Sequence, residues 1–495
     1  MNHKGCPKGS AKIVLRFVED DLLRMLGYIV FAAPKTILSR TKFNRERSTD
    51  PNAFNVNEVD LSHFYQAITE LIEHVKNAKS GTHRIVQPIS EKPNVAFIDW
   101  LEAQPVFPKF YWQTRDTREE VVALGQLHTF SDPAPAYTIL ADDQRVWGGR
   151  SFDGNTAKNQ RCMASFFFLP QIELIRFDDN FSIAANLNNE PHRTLASLYK
   201  LQAEVAPILP ISCHIKEIQH TPEQPQWTSL VEQVLEKIED KEFEKVVLAR
   251  KSSVQLDSQL KASQLLKASY EQNHHSFHFM MSLDQNHSFI GSTPERLYLR
   301  QGQELMTEAL AGTIGRGSNA SHDMELANWL SQDKKNLNEN QYVVDDIIER
   351  LTPHSELVTV DEDASLVRLR KVQHLKRSIH AHLKSGTNGV QLLSALQPTA
   401  AVAGLPREAA MNFIQENEPF VRGWYAGSMG YISHKQAEFC VAIRSALVLG
   451  EQVQLFAGAG IVPGSRADHE WQELDKKMST LLTLISDRPP LGVAS

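Results

Sequence analysis

Three groups of residues in this 495-residue chain have side chains and spacings suited to proton transfer or ion binding. The stretch FEKVVLAR sets Lys245 at the head of an apolar, strand-like run, Val246 to Ala249. A lysine beside buried β-structure is ordinarily a solvated edge residue, because an ammonium is costly to bury. The sharper reading is a desolvated amine that moves protons, and the local residues leave both open. In HEWQELDKKMSTLLTLI, Glu470, Glu473 and Lys477 follow i, i+3, i+7 spacing. They share one helical face bordering the stripe Trp471, Leu474, Met478, Leu481, Leu482 and Ile485. An exposed i, i+4 Glu–Lys pair is the plain account of that face. In NLNENQYVVDDIIERL, Glu339 lies one turn before Val343, on the side of the apolar stripe Val343, Val344, Ile347, Ile348 and Leu351. A carboxylate there needs a partner or a metal. Glutamates offered by two helices at a core margin suit a hard cation such as Mg²⁺, which takes oxygen ligands and keeps positions open for a substrate carboxylate.

Glycine-bearing stretches with few solubilising residues add a fourth feature: EALAGT (308–313), WYAGSMGY (424–431) and FAGAGIV (456–462). Such segments let backbone N–H groups approach an anion closely. FCVAIRSA puts Arg444 in an alternating strand among apolar neighbours. It reads as a surface arginine or as an inward guanidinium that forks onto a carboxylate. Other motifs come to little. GAGIVPG has Pro463 where a dinucleotide fingerprint needs its third glycine, and GTIGRGS (312–318) lacks the GK[ST] of a phosphate loop and reads as a flexible turn. His274 and His278 are four apart, but SFHFMMS alternates like a strand, so surface histidines are expected there, not a zinc site.

These residues must be held by recognisable elements. Residues 60–79 have helical spacing at Phe64, Ile68, Leu71, Ile72 and Val75, with Asp60 or Ser62 as cap. From about 90 to 215 the texture is short strands between turns, and PQIELIRFDDNFSIAANL reads as a hairpin around Asp178-Asp179-Asn180. QHTPEQPQW (219–227) reads as a polar connector. After it come the amphipathic helix WTSLVEQVLEKIED, the Lys245 strand, a helix near 260–271 and the strand SFHFMMSL, then helices alternating with hairpins. Helices interleaved with mostly antiparallel strands imply a large α+β assembly, not a doubly wound sheet.

Composition sets the outer bounds. With 42% hydrophobic and 22% charged residues the chain is an ordinary globular protein, and a formal net charge of -7 without a basic block argues against nucleic-acid partners. Cys6, Cys162, Cys213 and Cys440 are scattered, with no CxxC pair, which suits a reducing cytosol. The apolar run Met25–Ala33 is too short to span a bilayer and follows Glu19, Asp20 and Asp21, not a positive n-region. A cytoplasmic protein without a membrane segment is expected.

Roughly residues 225–485 resemble the chorismate-utilising enzymes, which include the isochorismate, salicylate, anthranilate and aminodeoxychorismate synthases. The matching stretches are FEKVVLAR, FIGSTPERL, EALAGT, NLNENQYVVDDI, VQHL, WYAGSMGY, CVAIRSA, AGAGIV and EWQELDKK. The resemblance implies an α/β sandwich like that of anthranilate synthase component I, two mostly antiparallel sheets enclosing the site with helices packed outside. On that basis 1–50 is a variable extension, 51–220 the N-terminal half of the sandwich and 225–485 the catalytic region. It also implies chorismate as substrate, Mg²⁺ dependence, and a monomer or homodimer.

Roles follow by the same resemblance. Lys245 matches the general base that activates water for attack at C2, and it must be uncharged, which desolvation and neighbouring cations favour. Glu295 in STPERL matches the acid that protonates the departing C4 hydroxyl, held neutral by burial or nearby carboxylates. Glu339 and Glu473 match direct Mg²⁺ ligands, with Glu470 acting through water. Gly312 and Thr313 match the backbone beside the ring carboxylate, and Tyr425, Arg444, Gly460 and Lys477 the positions around the enolpyruvyl carboxylate. His374 lies near the ring in the family, and Thr399 counts among its substrate-binding positions. A lysine at 245 separates water-adding members from ammonia-using ones, which carry glutamine. QPTAAVAGLPREAA (397–410) is similar to the menaquinone-pathway branch, whereas siderophore-type relatives carry His-Pro-Thr-Pro in place of Gln397 to Ala400. The implied activity is reversible conversion of chorismate to isochorismate. A salicylate synthase, a siderophore-pathway isochorismate synthase and a non-catalytic chorismate-binding protein are the alternatives.

Overall fold

The computed structural model describes residues 62–154 and 164–486. The extension 1–50 with its apolar run, Asp60, Cys6 and Cys162 lie outside them. Among the described residues two antiparallel sheets form the body. The first has 12 strands, in the spatial order Arg84–Ile89, Asn180–Asn186, Ile172–Phe177, Glu119–Leu124, Lys109–Gln113, Phe277–Asp284, His287–Thr293, Ser445–Leu449, Gln452–Ile461, Lys245–Leu256 and Gly404–Leu405, with Ile215–Thr221 also paired to Lys245–Leu256. The second has 10, in the order Ser355–Val360, Val372–Leu383, Glu304–Gly315, Arg296–Gln301, Gln436–Val441, Ser428–Ile432, Val146–Arg150, Phe166–Leu169 and His128–Phe130, with Ser365–Arg368 on Val372–Leu383. Strands from before residue 190 and after residue 245 are neighbours in both sheets. The inner faces meet in one apolar core, in which Phe110 and Trp147 from opposite sheets have ring centroids 5.5 Å apart.

Local chemistry explains most elements. Ser62 caps the helix His63–Lys76 by accepting from the Tyr65 N–H. Asp178 takes positive φ in the hairpin loop between Phe177 and Asn180, as its short side chain tolerates. Helices Ala262–Gln272, Gln224–Glu239 and Ala467–Ile485 cover the first sheet, and Lys334–Leu351 covers Glu304–Gly315 and Val372–Leu383 of the second.

Four expectations need correction. Residues 219–227 are no connector: they end the edge strand Ile215–Thr221 and begin the helix Gln224–Glu239. Polar residues suit an edge strand, and proline suits a first helical turn. GTIGRGS is not a flexible turn, since Gly312 to Gly315 finish a strand and Arg316 forks onto Asp323 at 2.8 and 2.7 Å. His278 is buried, not superficial, with Nδ1 2.8 Å from Ser292 Oγ on the neighbouring strand. Arg444 is not in a strand. The chain leaves the second sheet at Val441 and enters the first at Ser445, and Arg444 makes the bend with φ +50°.

Candidate active site

That bend has a twin. His287–Thr293 belongs to the first sheet and Arg296–Gln301 to the second, so Pro294 and Glu295 form another crossing from sheet to sheet. The two crossings lie side by side and lock together. The Ser292 N–H donates to the Arg444 carbonyl at 3.1 Å, and the Val441 N–H donates to the Glu295 carbonyl at 3.0 Å. Glu295 and Arg444 therefore reach the space between the sheets from fixed backbone.

Around them is a cavity of about 660 Å³, lined among others by Glu295, Gly312, Thr313, Glu339, His374, Tyr425, Arg444, Gly460, Glu473 and Lys477. Of the candidates named from sequence, Lys245, Thr399 and Glu470 do not line it. Lys245 stands just behind the wall, fully buried as expected, but the group against its Nζ is the Glu339 carboxylate at 3.0 Å and not the cations expected from sequence. Thr399 is buried and its main-chain carbonyl accepts from the Val402 and Ala403 N–H groups, in a turn that leaves Ala401 and Val402 lining the cavity. Glu470 is buried one turn from Glu473 and paired with Lys335 at 3.2 Å.

The bulge in Glu304–Gly315 between Leu310 and Thr313 shapes one wall. Gly312 takes φ +86° there, where a side chain would be strained. Asn340 satisfies carbonyls freed by the bulge, donating to those of Ala309 and Ala311 at 3.2 and 3.1 Å, and Asn336 accepts from the Thr313 N–H at 3.1 Å. Neither asparagine stood out in the sequence. The available signal was two amides, four residues apart, on the buried face of NLNENQYVVDDI. Glycine is also required at 460, where a Cβ would come within 2.7 Å of Glu339 Oε1 and 2.9 Å of Lys245 Cε. A second unrecognised pair, Glu418 and Arg422, has almost fully buried side chains: Arg422 donates to the Val402 and Val247 carbonyls at 2.8 and 2.7 Å, tying two cavity walls together.

The electrostatics are uneven. Burial pushes the Glu295 carboxyl up to about 8; Glu308 adds to the rise, and Lys245, Lys477 and Arg444 offset only part of it. Burial lowers Arg444 to about 10, still charged at neutral pH. His374 is driven well below its ordinary value by burial, then by Arg444 and Lys477. Its neutral tautomer follows from its contacts. Arg444 Nη2, which can only donate, sits 3.3 Å from Nε2, so Nδ1 carries the hydrogen toward Thr313 Oγ1 at 2.9 Å. Lys477 donates to the Gly458 carbonyl at 2.8 Å and pairs with Glu473 at 2.5 Å, and Tyr425 stacks on Phe456 at 5.1 Å. The face bearing Glu473 and Lys477 is thus a partly buried cavity wall, not the exposed pair of the plain account.

Among the described residues no three acidic, histidine or cysteine side chains converge on one point. Glu339, Glu473 and Glu470 each hold a lysine instead. Their chemistry still fits a hard cation. The donors are all carboxylate oxygens, Glu339 and Glu473 line the same cavity, and burial followed by repulsion from Glu473 raises Glu470, a crowding that a divalent ion would relieve.

The arrangement offers a protonated buried acid, a buried lysine and a cationic wall able to hold carboxylates. Known proteins show the same combination of sequence and fold. The profile of the family described as chorismate binding enzyme matches residues 63–486. Isochorismate synthase MenF of Escherichia coli (strain K12) is 37% identical over 432 residues, covering 85% of this chain and 98% of that protein. Isochorismate synthase MenF of Pasteurella multocida is 36% identical, covering 81% of this chain and 93% of that protein. The solved structure of MenF, the menaquinone-specific isochorismate synthase from Escherichia coli, superposes with a TM-score of 0.80, at 37% identity, over 86% of this chain and 100% of that one. The chain belongs to the chorismate-binding enzyme family.

Proposed function

We propose, with that membership as premise, that the chain is an isochorismate synthase, an isomerase that interconverts chorismate and isochorismate, and that it serves menaquinone formation in the cytoplasm. The observation that carries the chemistry is Glu295, a carboxyl pushed up to about 8 and facing the same cavity as Arg444 and Lys477. It is an acid still holding its proton near neutrality, beside groups that would fix an anionic substrate.

Lys245 would take a proton from water as the water oxygen bonds to C2. Both ring double bonds shift, the C4–oxygen bond breaks, and Glu295 gives its proton to the departing hydroxyl, so one water enters and one leaves. In reverse Glu295 is the base and Lys245 the acid. Arg444 and Lys477 would hold the enolpyruvyl carboxylate with Tyr425 and the Gly460 backbone, while Gly312, Thr313 and neutral His374 face the ring. Thr399 acts at one remove, by shaping the Ala401–Val402 wall. Bound Mg²⁺ would supply positive charge to the ring carboxylate, held by Glu339 and Glu473 directly and by Glu470 through water.

Product analysis after incubation with chorismate and Mg²⁺ tests this reading. Isochorismate alone supports it. Salicylate with pyruvate would make the chain a salicylate synthase, and unchanged chorismate bound to a folded protein would leave only a binding role.

A further inference from the structure

The crossing that carries Glu295 is held by a residue far away in the chain. Arg115 follows the strand Lys109–Gln113 of the first sheet, and its guanidinium reaches between the sheets to three oxygens. Nη1 donates to the Pro294 carbonyl at 2.5 Å and to Glu308 Oε1 at 2.5 Å, and Nη2 donates to Glu308 Oε2 at 2.9 Å. Pro294 is the other residue of the crossing that carries Glu295. Glu308 also accepts from the Arg296 N–H at 3.0 Å, on the far side of that crossing. One fork therefore holds the backbone before Glu295 and the carboxylate whose second contact is the backbone after it. The Arg115 and Glu308 side chains retain only 19% and 4% of their exposure, so the pair acts in a poorly solvated space.

We propose that Arg115 and Glu308 are positioning residues for Glu295, fixing its crossing and keeping a permanent negative charge beside its carboxyl so that the proton stays on. This deepens the proposed function, since it explains how that acid is maintained. The surrounding charges agree in sign. Burial works against ionised Glu308, but the Arg115 fork and the Arg296 backbone and charge hold it below its ordinary value. Glu308 raises Glu295 by like-charge repulsion, against Lys245 from the first sheet, Lys477 from the last helix and Arg444 from the neighbouring crossing. Tyr425 and Cys440 also feel the Glu295 charge. Glu438, the next carboxylate along, is occupied by Arg296 at 3.0 Å. With Arg115 present, Glu308 stays charged and repels a second charge on Glu295. With Glu308 neutral, that repulsion is gone and Glu295 ionises at lower pH.

Infrared titration of the full-length protein reads this directly, using the carbonyl stretch of the protonated carboxyl. Subtracting the Glu295→Gln spectrum isolates Glu295 from Glu438, which burial lifts to about 7. In Glu308→Gln the Glu295 midpoint should fall by ~1 pH unit, the scale of a lost like-charge neighbour. Arg115→Met should move it the same way by less, and turnover at alkaline pH should fall in step in both. If either single variant fails to fold because a buried charge is stranded, the doubly neutral R115M/E308L protein serves instead and should show the same downward shift. An unchanged or raised midpoint in a folded Glu308→Gln or doubly neutral protein overturns the proposal. The measurement needs no turnover, so native protein that forms no isochorismate would sink the functional reading and leave this one standing.

Discussion

Glu173 and Glu295 are both removed from water, one wholly and the other 4% exposed, yet they sit on opposite sides of neutrality. Glu173 lies where the two sheets face each other near their N-terminal strands. Burial alone would raise it, but Arg84 and Arg145 overcome that, Trp147 Nε1 donates at 2.8 Å and Asn186 Nδ2 at 3.2 Å, and the carboxyl is held low. Glu295 has its burial reinforced by Glu308 and only partly offset by cations, and it is held high. Depth does not distinguish them. The same chain supplies a full set of donors in one place and withholds it in the other, and the withheld place opens on the cavity.

The strongest way to break the comparison is to neutralise both acids. Glu295→Gln, or Lys245→Ala, should keep the fold and cut isochorismate formation by about 10²–10⁴-fold, the usual worth of a positioned acid or base. Near-native turnover in either would return Lys245 or Glu295 to a structural role. Glu173→Gln should do the reverse, leaving the turnover of folded protein nearly intact while lowering unfolding stability by about 3–5 kcal/mol, because buried Arg84 loses its counter-charge and Arg145 keeps only Glu119. Denaturant titration beside a turnover assay reads both. Gly460→Ala sharpens the geometry: Glu339 or Lys245 must yield to the new methyl, and turnover should drop by up to ~100-fold with melting temperature little changed. Glu339→Gln or Glu473→Gln should demand about 10–100 times more Mg²⁺ for half-maximal activity, and native metal dependence in both would remove them as ligands.

The smallest effect is also the most direct contrast. A carboxyl held above its unfolded value binds its proton more tightly when folded. The stability Glu295 contributes is therefore complete below its ordinary 4.5 and is lost as pH climbs through about 8. Glutamine removes that loss, so Glu295→Gln should gain melting temperature over native protein as pH rises across this window. Glu173 is depressed, so its contribution is present above the ordinary value and lost as pH falls through the lowered one. The deficit of Glu173→Gln should shrink in acid. Parallel melting curves for the two variants would refute the distinction.

Some of this was readable from residue order. Glu339 and the Glu470, Glu473, Lys477 face follow from helical period, because a helix fixes which residues share a side whatever surrounds it. The antiparallel α+β class follows from short strands alternating with helices. The rest depends on which strand lies next to which. Arg444 has strand-like neighbours and turns only because the chain changes sheets there. His278 is buried by a neighbouring strand, and Glu308 hides in a motif whose glycine is more conspicuous. Arg115 carries no local signal at all. Its importance exists only once Lys109–Gln113 lies beside Phe277–Asp284.

That adjacency has a price in time during synthesis. Lys109–Gln113 can pair with Glu119–Leu124 as soon as both are made, but its other edge waits for Phe277–Asp284, and Val146–Arg150 waits for Ser428–Ile432. At roughly 5–20 residues per second the delays run from about ten seconds to a minute. Throughout that interval Trp112 and Trp147, both wholly enclosed in the finished protein, have unpaired strand edges beside them. Slowing translation between residues 190 and 277 should therefore increase aggregation of the nascent chain more than slowing it anywhere after residue 445.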